Sequence, residues 1–268
     1  MNTSINLLPI LESSKQLVLS VGQYIRTESK SFDRSRTETK GLHDYVSYVD
    51  KTAELKLVEG LQELIPGAGF IAEENTSTTR GERFNWIIDP LDGTTNFIHG
   101  LPCFAISVAL TEYDIPVLGI IYEINLDECF YACKGNGAWL NGKPISVADT
   151  EKFDESFIAT GFPYNNYGRL DAYLELMKHL LLNTRGIRRL GSAATDLAYV
   201  ACGRFDAFYE YGLSPWDVAA GIILIQEAGG TVTDFKNGNN CLFGKEINAT
   251  NGQIHEALGN AIVKFMGK

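Results

Sequence analysis

The chain has 268 residues, of which 45% are hydrophobic and 21% are charged, and its formal net charge is −10 at pH 7. This composition is typical of a globular protein with enough apolar side chains for a large core. The negative charge argues against non-specific binding of nucleic acid, which needs a basic surface. The sequence shows no signal peptide and no apolar stretch long enough to cross a bilayer, so we expect a cytoplasmic protein without a membrane anchor.

The cysteines and histidines do not indicate a soft-metal site. The chain has five cysteines and four histidines, but they are scattered and show no spacing typical of zinc ligands. We interpret the cysteines as free thiols in a reducing compartment.

The first part of the chain predicts two helices joined by a polar segment. Apolar residues recur at helical spacing over residues 7–25, whereas residues 29–45 are polar without an apolar period and indicate a mobile loop or a hairpin. Asp50 directly precedes a second helical pattern, and its simplest structural role is the N-cap of that helix. A turn then leads into a strand that ends at Glu73 and Glu74, which cannot both face the same way.

The next stretch carries the strongest chemical signal. Three large apolar residues, 86–88, lead directly into Asp89, the pattern of a buried strand that delivers a carboxylate at its end. Pro90 cannot donate a sheet hydrogen bond, so we expect the strand to end there. Asp92 follows across a tight bend, close enough to Asp89 to share a cation, and Gly93 leaves room for backbone to approach a ligand.

A short helix should follow this bend. Thr94 or Thr95 can begin it as the N-cap, and exposed amides at a helix start attract phosphate. Carboxylates suited to a hard cation beside an anion cradle indicate metal-assisted phosphoryl chemistry. The alternative is an Asp-rich turn in which Asp89 and Asp92 only cap backbone amides.

The rest of the chain predicts an antiparallel meander and then a second half of mixed helices and strands that starts near Phe153. The elements that we predict are strands at 104–110, 117–122, 128–134 and 156–161, a helix at 170–182 with Tyr173, Leu174, Met177 and Leu181 on one face, a strand at 205–209 that leads to Glu210, a helix opened by Trp216 and Asp217, strands at 231–233 and 247–250, and a final helix with Ile254, Leu258 and Ile262.

Several polar residues have ordinary structural roles when taken alone. Lys40 is a solvated loop lysine, and Ser192 is the N-cap of a helix. Glu210 is a solvated residue at a strand end, and Asp217 is an acid that favourably meets a helix dipole.

Three segments, in this order, carry a family resemblance: Glu73-Glu74, Asp89-Pro90-Leu91-Asp92-Gly93-Thr94-Thr95-Asn96-Phe97 and Trp216-Asp217-Val218-Ala219-Ala220-Gly221. They resemble the inositol monophosphatase family, which comprises magnesium-dependent, lithium-inhibited phosphomonoesterases. The resemblance spans nearly the whole chain. It implies an α+β fold, a layered α-β-α-β-α sandwich of the inositol monophosphatase and fructose-1,6-bisphosphatase type. It further implies one domain over residues 1–268, with intimate halves at 1–152 and 153–268, and a homodimer.

The resemblance also implies roles for individual residues. Two or three Mg²⁺ ions per subunit would be held by the metal ligands Glu73, Asp89, the Leu91 carbonyl, Asp92 and Asp217. The catalytic residues would be Asp50, Thr94 and Glu73, with Asp50 pairing with Thr94 to orient the attacking water. The substrate would contact Asp92, Gly93, Thr94, Gly191, Ser192, Ala193 and Glu210. Lys40 would belong to a mobile loop near the metals.

The activity that the resemblance implies is hydrolysis of inositol 1-phosphate by direct attack of a metal-activated water. The enzyme alternatives are a broader phosphatase of sugars and polyols, a fructose-1,6-bisphosphatase and a 3'(2'),5'-bisphosphate nucleotidase. The continuation Thr94-Thr95-Asn96-Phe97 and Glu210 favour inositol phosphates over the nucleotide substrates. A non-enzyme alternative is a regulatory binding protein that keeps the fold, because some bacterial relatives serve RNA-related regulation.

Overall fold

The computed structural model describes residues 5–33, 35, 37–41, 44–163 and 167–267, with the backbone alone at 38–41 and 44–45. These residues form seven α-helices and fourteen strands. The helices are α1 (Leu7–Ser29), α2 (Tyr48–Leu64), α3 (Thr94–His99), α4 (Leu170–Asn183), α5 (Ala193–Ala201), α6 (Pro215–Glu227) and α7 (His255–Met266).

The strands form two large sheets and one hairpin. They are β1 (Thr37–Gly41), β2 (Asp44–Ser47), β3 (Gly69–Ala72), β4 (Phe84–Asp92), β5 (Ala105–Glu112), β6 (Ile115–Glu123), β7 (Glu128–Cys133), β8 (Ala138–Leu140), β9 (Lys143–Ile145), β10 (Phe157–Thr160), β11 (Gly186–Arg188), β12 (Ala207–Tyr211), β13 (Thr231–Thr233) and β14 (Glu246–Thr250).

Three apolar clusters separate five layers. The first cluster packs α1 and α2 against one face of the seven-stranded sheet. The second fills the space between the other face of that sheet, α5 and α6, and the five-stranded sheet. The third packs α4 and α7 on the far side of the five-stranded sheet. The predicted α+β sandwich with α-β-α-β-α layers is therefore confirmed.

The larger sheet places the first acids side by side. Its order is β3-β4-β5-β6-β7-β8-β9, with β3 parallel to β4 and the rest antiparallel, as the predicted meander requires. Strands β4, β5 and β6 are buried on both faces, which explains their nearly continuous apolar runs. The parallel register sets Ala72 opposite Ile88, so the next residues, Glu73 and Asp89, emerge together.

The smaller sheet and the central helices supply the other side of the site. Its order is β11-β10-β12-β14-β13, with β10, β11 and β12 parallel to one another. Strand β12 carries Glu210, and the starts of α5 and α6 follow β11 and β12 along the chain. None of the helices in the described residues is both long and apolar enough to span a membrane.

The face of α4 that the sequence pattern grouped is only partly the buried face. Leu174 and Leu181 are 48% and 57% exposed, whereas the helix buries Leu176 and Leu180 together with the predicted Tyr173. This helix has apolar residues around most of its circumference, so helical periodicity alone does not select one face.

Residues 29–45 contain a hairpin, one of the two structures that the polar pattern allowed. Strands β1 and β2 pair antiparallel with an irregularity between Thr39 and Gly41. Lys40 lies in β1, but its side chain is outside the described part of the chain.

We predict that Gly119→Ala destabilises the fold by about 1–3 kcal/mol, because extra atoms in a packed core force strain. A Cβ at Gly119 would lie 2.6 Å from the side chain of Ile223 and 2.7 Å from the carbonyl oxygen of Ala220. The glycine therefore lets α6 pack directly on the backbone of β6. Urea unfolding measures the effect, and an unchanged midpoint would contradict this view of the contact.

Candidate metal and phosphate site

Strand β4 does not end at Pro90 as predicted but continues to Asp92. Its pairing with β5 shifts between Asp89, opposite Ser107, and Asp92, opposite Ala105. Such a bulge leaves residues unpaired, so proline is accommodated without a ladder hydrogen bond. The Asp89 carboxylate accepts a hydrogen bond from the Leu91 amide at 2.9 Å, within the bulge.

The helix after this bend begins differently from the prediction. Gly93, in the left-handed conformation at φ 93°, is the N-cap of α3, and neither Thr94 nor Thr95 has that role. A side chain at Gly93 would be strained by this φ, and its Cβ would lie 2.9 Å from the Cys103 carbonyl oxygen. The Thr94 hydroxyl is instead within 2.9 Å of both Asp50 Oδ1 and the Leu91 carbonyl oxygen.

Asp50 is the third residue of α2, and its predicted role as N-cap is wrong. Ser47 is the N-cap, and the Ser47 amide and hydroxyl donate to Asp50 Oδ2 at 2.9 and 2.6 Å. This capping box leaves Asp50 Oδ1 to accept from Thr94. Asp50 and Thr94 are therefore in contact across 44 residues of sequence, while the catalytic roles predicted for them stay predictions.

Three carboxylates converge from β4 and α6. Asp89, Asp92 and Asp217 each present one oxygen, and these three atoms lie within 4.8 Å of one another. Asp217 is the third residue of α6, where its Oδ2 accepts the Ser214 amide at 2.6 Å. Ser107 Oγ donates to the Trp216 carbonyl at 3.0 Å and joins the start of α6 to β5.

These acids strongly affect one another. Burial raises the pKa of Asp89 well above its ordinary value, and the charges of Glu73, Asp92 and Asp217 add to the effect. Burial, followed by repulsion from Asp92, likewise raises the pKa of Asp217. Burial also raises the pKa of Asp92 to about 6, although hydrogen bonds from Ser192 and Ala194 act in the opposite direction.

This donor set fits a hard divalent cation. It offers carboxylate oxygens, which Mg²⁺ prefers, and a cation at this position would offset the mutual repulsion of the acids. Glu73 lies beside Asp89, and Leu91, whose carbonyl is 2.9 Å from the Thr94 hydroxyl, lines the same cavity. The predicted ligands are therefore gathered in one place.

The start of α5 holds Asp92 in position. Ser192 Oγ and the Ala194 amide both donate to Asp92 Oδ2 at 2.7 Å. Ser192 is also the N-cap of α5 and accepts the Thr195 amide at 3.2 Å. Asn96 Nδ2 donates to the Leu190 carbonyl at 2.9 Å, so α3 is tied to the same turn.

Glu210 is a buried residue within β12, not a solvated strand end. Its side chain is only 7% exposed. A Cβ at Gly161 would lie 2.0 Å from Glu210 Oε2, so the carboxylate rests against bare backbone. Burial raises the pKa of Glu210 to about 8, with Asp92 adding to the rise and Arg189 opposing it.

One cavity of about 820 Å³ contains most of the predicted site. Asp50 lies behind Thr94, outside the lining, and the Lys40 side chain is not described. The predicted residues that line the cavity are Glu73, Asp89, Leu91, Asp92, Gly93, Thr94, Gly191, Ser192, Ala193, Glu210 and Asp217.

The sequence reasoning missed five charged residues that line this cavity, which are Arg169, Arg189, Asp196, Lys245 and Glu246. Asp196, in the first turn of α5, is 1% exposed, and its Oδ1 has no hydrogen-bond partner within the described residues. The charge of Arg189 lowers the pKa values of Asp92, Asp196 and Glu210, so its guanidinium lies among them. Two features of the sequence could have indicated Asp196 and Arg189. Asp196 is an acid in a largely apolar helical segment, and Arg189 is a basic residue two positions before Gly191.

Comparisons with known proteins agree with this geometry. A family model described as the inositol monophosphatase family matches residues 6–266. An inositol-1-monophosphatase of Mesorhizobium japonicum is 40% identical over 257 residues, covering 95% of this chain and 96% of the relative. The Nus factor SuhB of Pseudomonas aeruginosa is 40% identical over 255 residues, covering 93% of this chain and 94% of the relative.

A solved structure is similar over nearly its whole length. The inositol monophosphatase from Anabaena (Nostoc) sp. PCC 7120 has a TM-score of 0.87 and 37% identity, covering 97% of this chain and 98% of that chain.

We predict that the metal-free protein loses stability as the pH rises from about 4 to about 8. The acids hold their protons to higher pH in the folded chain than in the unfolded chain, as the raised pKa values of Asp92 and Glu210 show. The folded state then binds more protons in this window, so the free energy of unfolding falls with pH, by at least about 1 kcal/mol.

Urea unfolding in EDTA at pH 5.5 and pH 8 measures this loss, and a parallel series in Mg²⁺ should show most of it removed. Metal-free protein that gains stability over the same interval would contradict the prediction.

Proposed function

Because the chain belongs to the inositol monophosphatase family, we propose that it is a Mg²⁺-dependent phosphatase that hydrolyses inositol 1-phosphate to inositol and phosphate. The observation that carries the proposal is the convergence of the Asp89, Asp92 and Asp217 oxygens beside the Thr94 hydroxyl. The family supports a phosphatase, and the inositol ester is the finer part of the proposal.

The chemistry explains why these acids are needed. A phosphate monoester is a dianion with a poor leaving group, so catalysis must neutralise charge, place water in line and stabilise the departing alkoxide. Bound Mg²⁺ would supply charge neutralisation and a more acidic water. The residues that would hold the ions are Glu73, Asp89, Asp92, Asp217 and, through its carbonyl, Leu91.

The Thr94 hydroxyl can orient the attacking water. Its single proton can go to Asp50 or to the Leu91 carbonyl, both 2.9 Å away. Donation to the Asp50 carboxylate, a charge-assisted bond, leaves the Thr94 oxygen free to accept a hydrogen bond from water. A water held in this way turns its lone pair away from Thr94 and toward the phosphorus atom.

The other end of the cavity would receive the alcohol. Gly191, Ser192 and Ala193 form a small-residue turn that a polyol can approach closely, and Glu210 offers carboxyl oxygens to its hydroxyls. A cavity of about 820 Å³ is within the usual range for small-molecule sites and accommodates a phosphorylated six-membered ring. The Gly93 and Thr94 amides would contact phosphate oxygens.

The family resemblance supports further parts of the proposal. They are two or three Mg²⁺ ions per subunit, inhibition by Li⁺, a single domain and a homodimer. The enzyme alternatives are a broader sugar or polyol phosphatase, a fructose-1,6-bisphosphatase and a bisphosphate nucleotidase, all of which the same acids would serve.

A second candidate function is binding of a macromolecular partner. It is favoured by one observation, the name Nus factor SuhB for a relative as similar as the inositol-1-monophosphatase. Tight, specific partner binding by a variant unable to hydrolyse esters would support this function. With a net charge of −10, the chain fits a protein partner better than a bare nucleic acid.

The test is phosphate release from inositol 1-phosphate, fructose 1,6-bisphosphate and adenosine 3',5'-bisphosphate, with and without Mg²⁺ and then with Li⁺. We expect Mg²⁺-dependent hydrolysis of the inositol ester that Li⁺ blocks, and no turnover by a folded Asp92→Asn control. Preference for another ester would identify that ester as the substrate instead. A fully active Asp92→Asn variant would refute the metal site.

We predict that Glu210→Gln raises KM for inositol 1-phosphate about tenfold or more, because the Glu210 carboxyl group would contact the alcohol and not the reacting phosphate. The loss for phenyl phosphate, which has no hydroxyls for Glu210 to meet, should be much smaller. Equal effects on both esters would show that Glu210 does not contact the alcohol.

A further inference from the structure

Helix α2 carries two buried acids on one face, and only the first has a role in the proposed reaction. Asp50 and Glu54 are one helical turn apart, with exposures of 1% and 0%. Asp50 contacts Thr94, whereas Glu54 points to the turn that follows β3. A buried carboxylate needs a strong reason to be there, since its desolvation is costly.

Glu54 holds this turn with both of its oxygens. Oε2 accepts the Glu74 amide and Oε1 accepts the Thr76 amide, each at 2.8 Å. The amide between them, that of Asn75, donates to the Ala72 carbonyl at 3.3 Å. The three amides that follow Glu73 are therefore all hydrogen-bonded, and two of them donate to the Glu54 side chain of α2.

The backbone of this turn depends on that carboxylate. Asn75 has a φ of 58°, in the left-handed region, which lets the amides on either side of it point at one acceptor. The Glu73 amide donates to the Ile88 carbonyl at 3.2 Å, so Glu73 is joined to β4 on one side and to the Glu54-bound turn on the other. Its backbone is thus fixed from both directions.

We propose that Glu54 is a positioning residue for the metal site, which aims Glu73 at the cation by holding the 74–76 turn against α2. The inference rests on the proposed metal-dependent function. Asp50 and Glu54 together make α2 a common support, because one face of one helix fixes both Thr94 and the turn beyond Glu73.

Only a carboxylate of this length serves both amides. Glutamine has one acceptor oxygen, so its NH₂ group would face one of the two amide donors. Aspartate keeps the negative charge, but its shorter side chain cannot reach both amides from the same backbone position. The two substitutions therefore separate the geometry of Glu54 from its charge.

The test is Mg²⁺ binding, followed by intrinsic tryptophan fluorescence, since Trp216 adjoins Asp217, and by the Mg²⁺-induced rise in Tm. We expect Glu54→Gln and Glu54→Asp each to raise the Mg²⁺ dissociation constant about tenfold, the usual scale for losing an outer partner of a metal ligand. Turnover at saturating Mg²⁺ should change by less than about threefold.

The matched control is Glu59→Gln, which removes the same charge from an exposed position of α2. It should bind Mg²⁺ as the unaltered protein does. Unchanged affinity in Glu54→Gln, or a loss in Glu54→Gln with none in Glu54→Asp, would overturn the positioning role. Mg²⁺ binding without hydrolysis of any ester by the unaltered protein would refute the proposed function and leave this inference standing.

If the Glu54 variants fail to fold, residue-resolved hydrogen exchange of the unaltered protein tests whether the Glu74 and Thr76 amides are held by hydrogen bonds. The Glu74 and Thr76 amides should exchange at least about tenfold more slowly than in an unstructured chain. Exchange at the unstructured rate would overturn the proposal.

Discussion

The repulsion among clustered carboxylates, of which Asp89 is buried and Asp92 and Asp217 are half-buried, is the constraint on which the rest of this structure depends. Asp89, Asp92 and Asp217 are brought together by a sheet and a helix that are held by large apolar clusters. Hydrophobic burial supplies the free energy that keeps like charges close. The site is therefore a place where the fold accepts an electrostatic cost that a bound cation would relieve.

The backbone reduces this cost with amide donors. Asp89 accepts the Leu91 amide, Asp92 accepts the Ala194 amide and Asp217 accepts the Ser214 amide. Each bond uses one carboxylate oxygen and fixes the direction of the group. Two of these donors lie at helix starts, where amides have no partner within the helix. The helix starts, whose amides need an acceptor, thus orient the Asp92 and Asp217 carboxylates.

The sequence predicted the layers and the identity of the gathered residues better than their local geometry. The acid at the end of an apolar run and the Trp216-Asp217 helix start were readable, because both patterns are local. The bulge at Pro90 was not, because it depends on pairing with β5. Ser47 was overlooked as N-cap since Asp50, three residues later, offers the same chemistry.

Long-range contacts account for what the sequence could not predict. Glu210 reads as a solvated strand end until Gly161 and the cavity wall are known. Asp196 and Arg189 have no motif, and only the folded chain places them beside Asp92 and Glu210. The candidate metal ligands were accessible from the family resemblance, whereas the charged residues Asp196 and Arg189 at the cavity needed tertiary structure.

The acids differ in how far along the chain their hydrogen-bond donors lie. Two of them belong to capping boxes and are held by nearby residues. Asp50 and Asp217 are each fixed by a serine three residues earlier. Asp92 is held by Ser192 and Ala194, 100 and 102 residues away. Local hydrogen bonds can form as soon as a helix starts, whereas distant ones wait until the chain has closed a long loop. We therefore expect Asp92 to be the last of these acids to acquire its orientation during folding, at the step in which α5 docks on the end of β4.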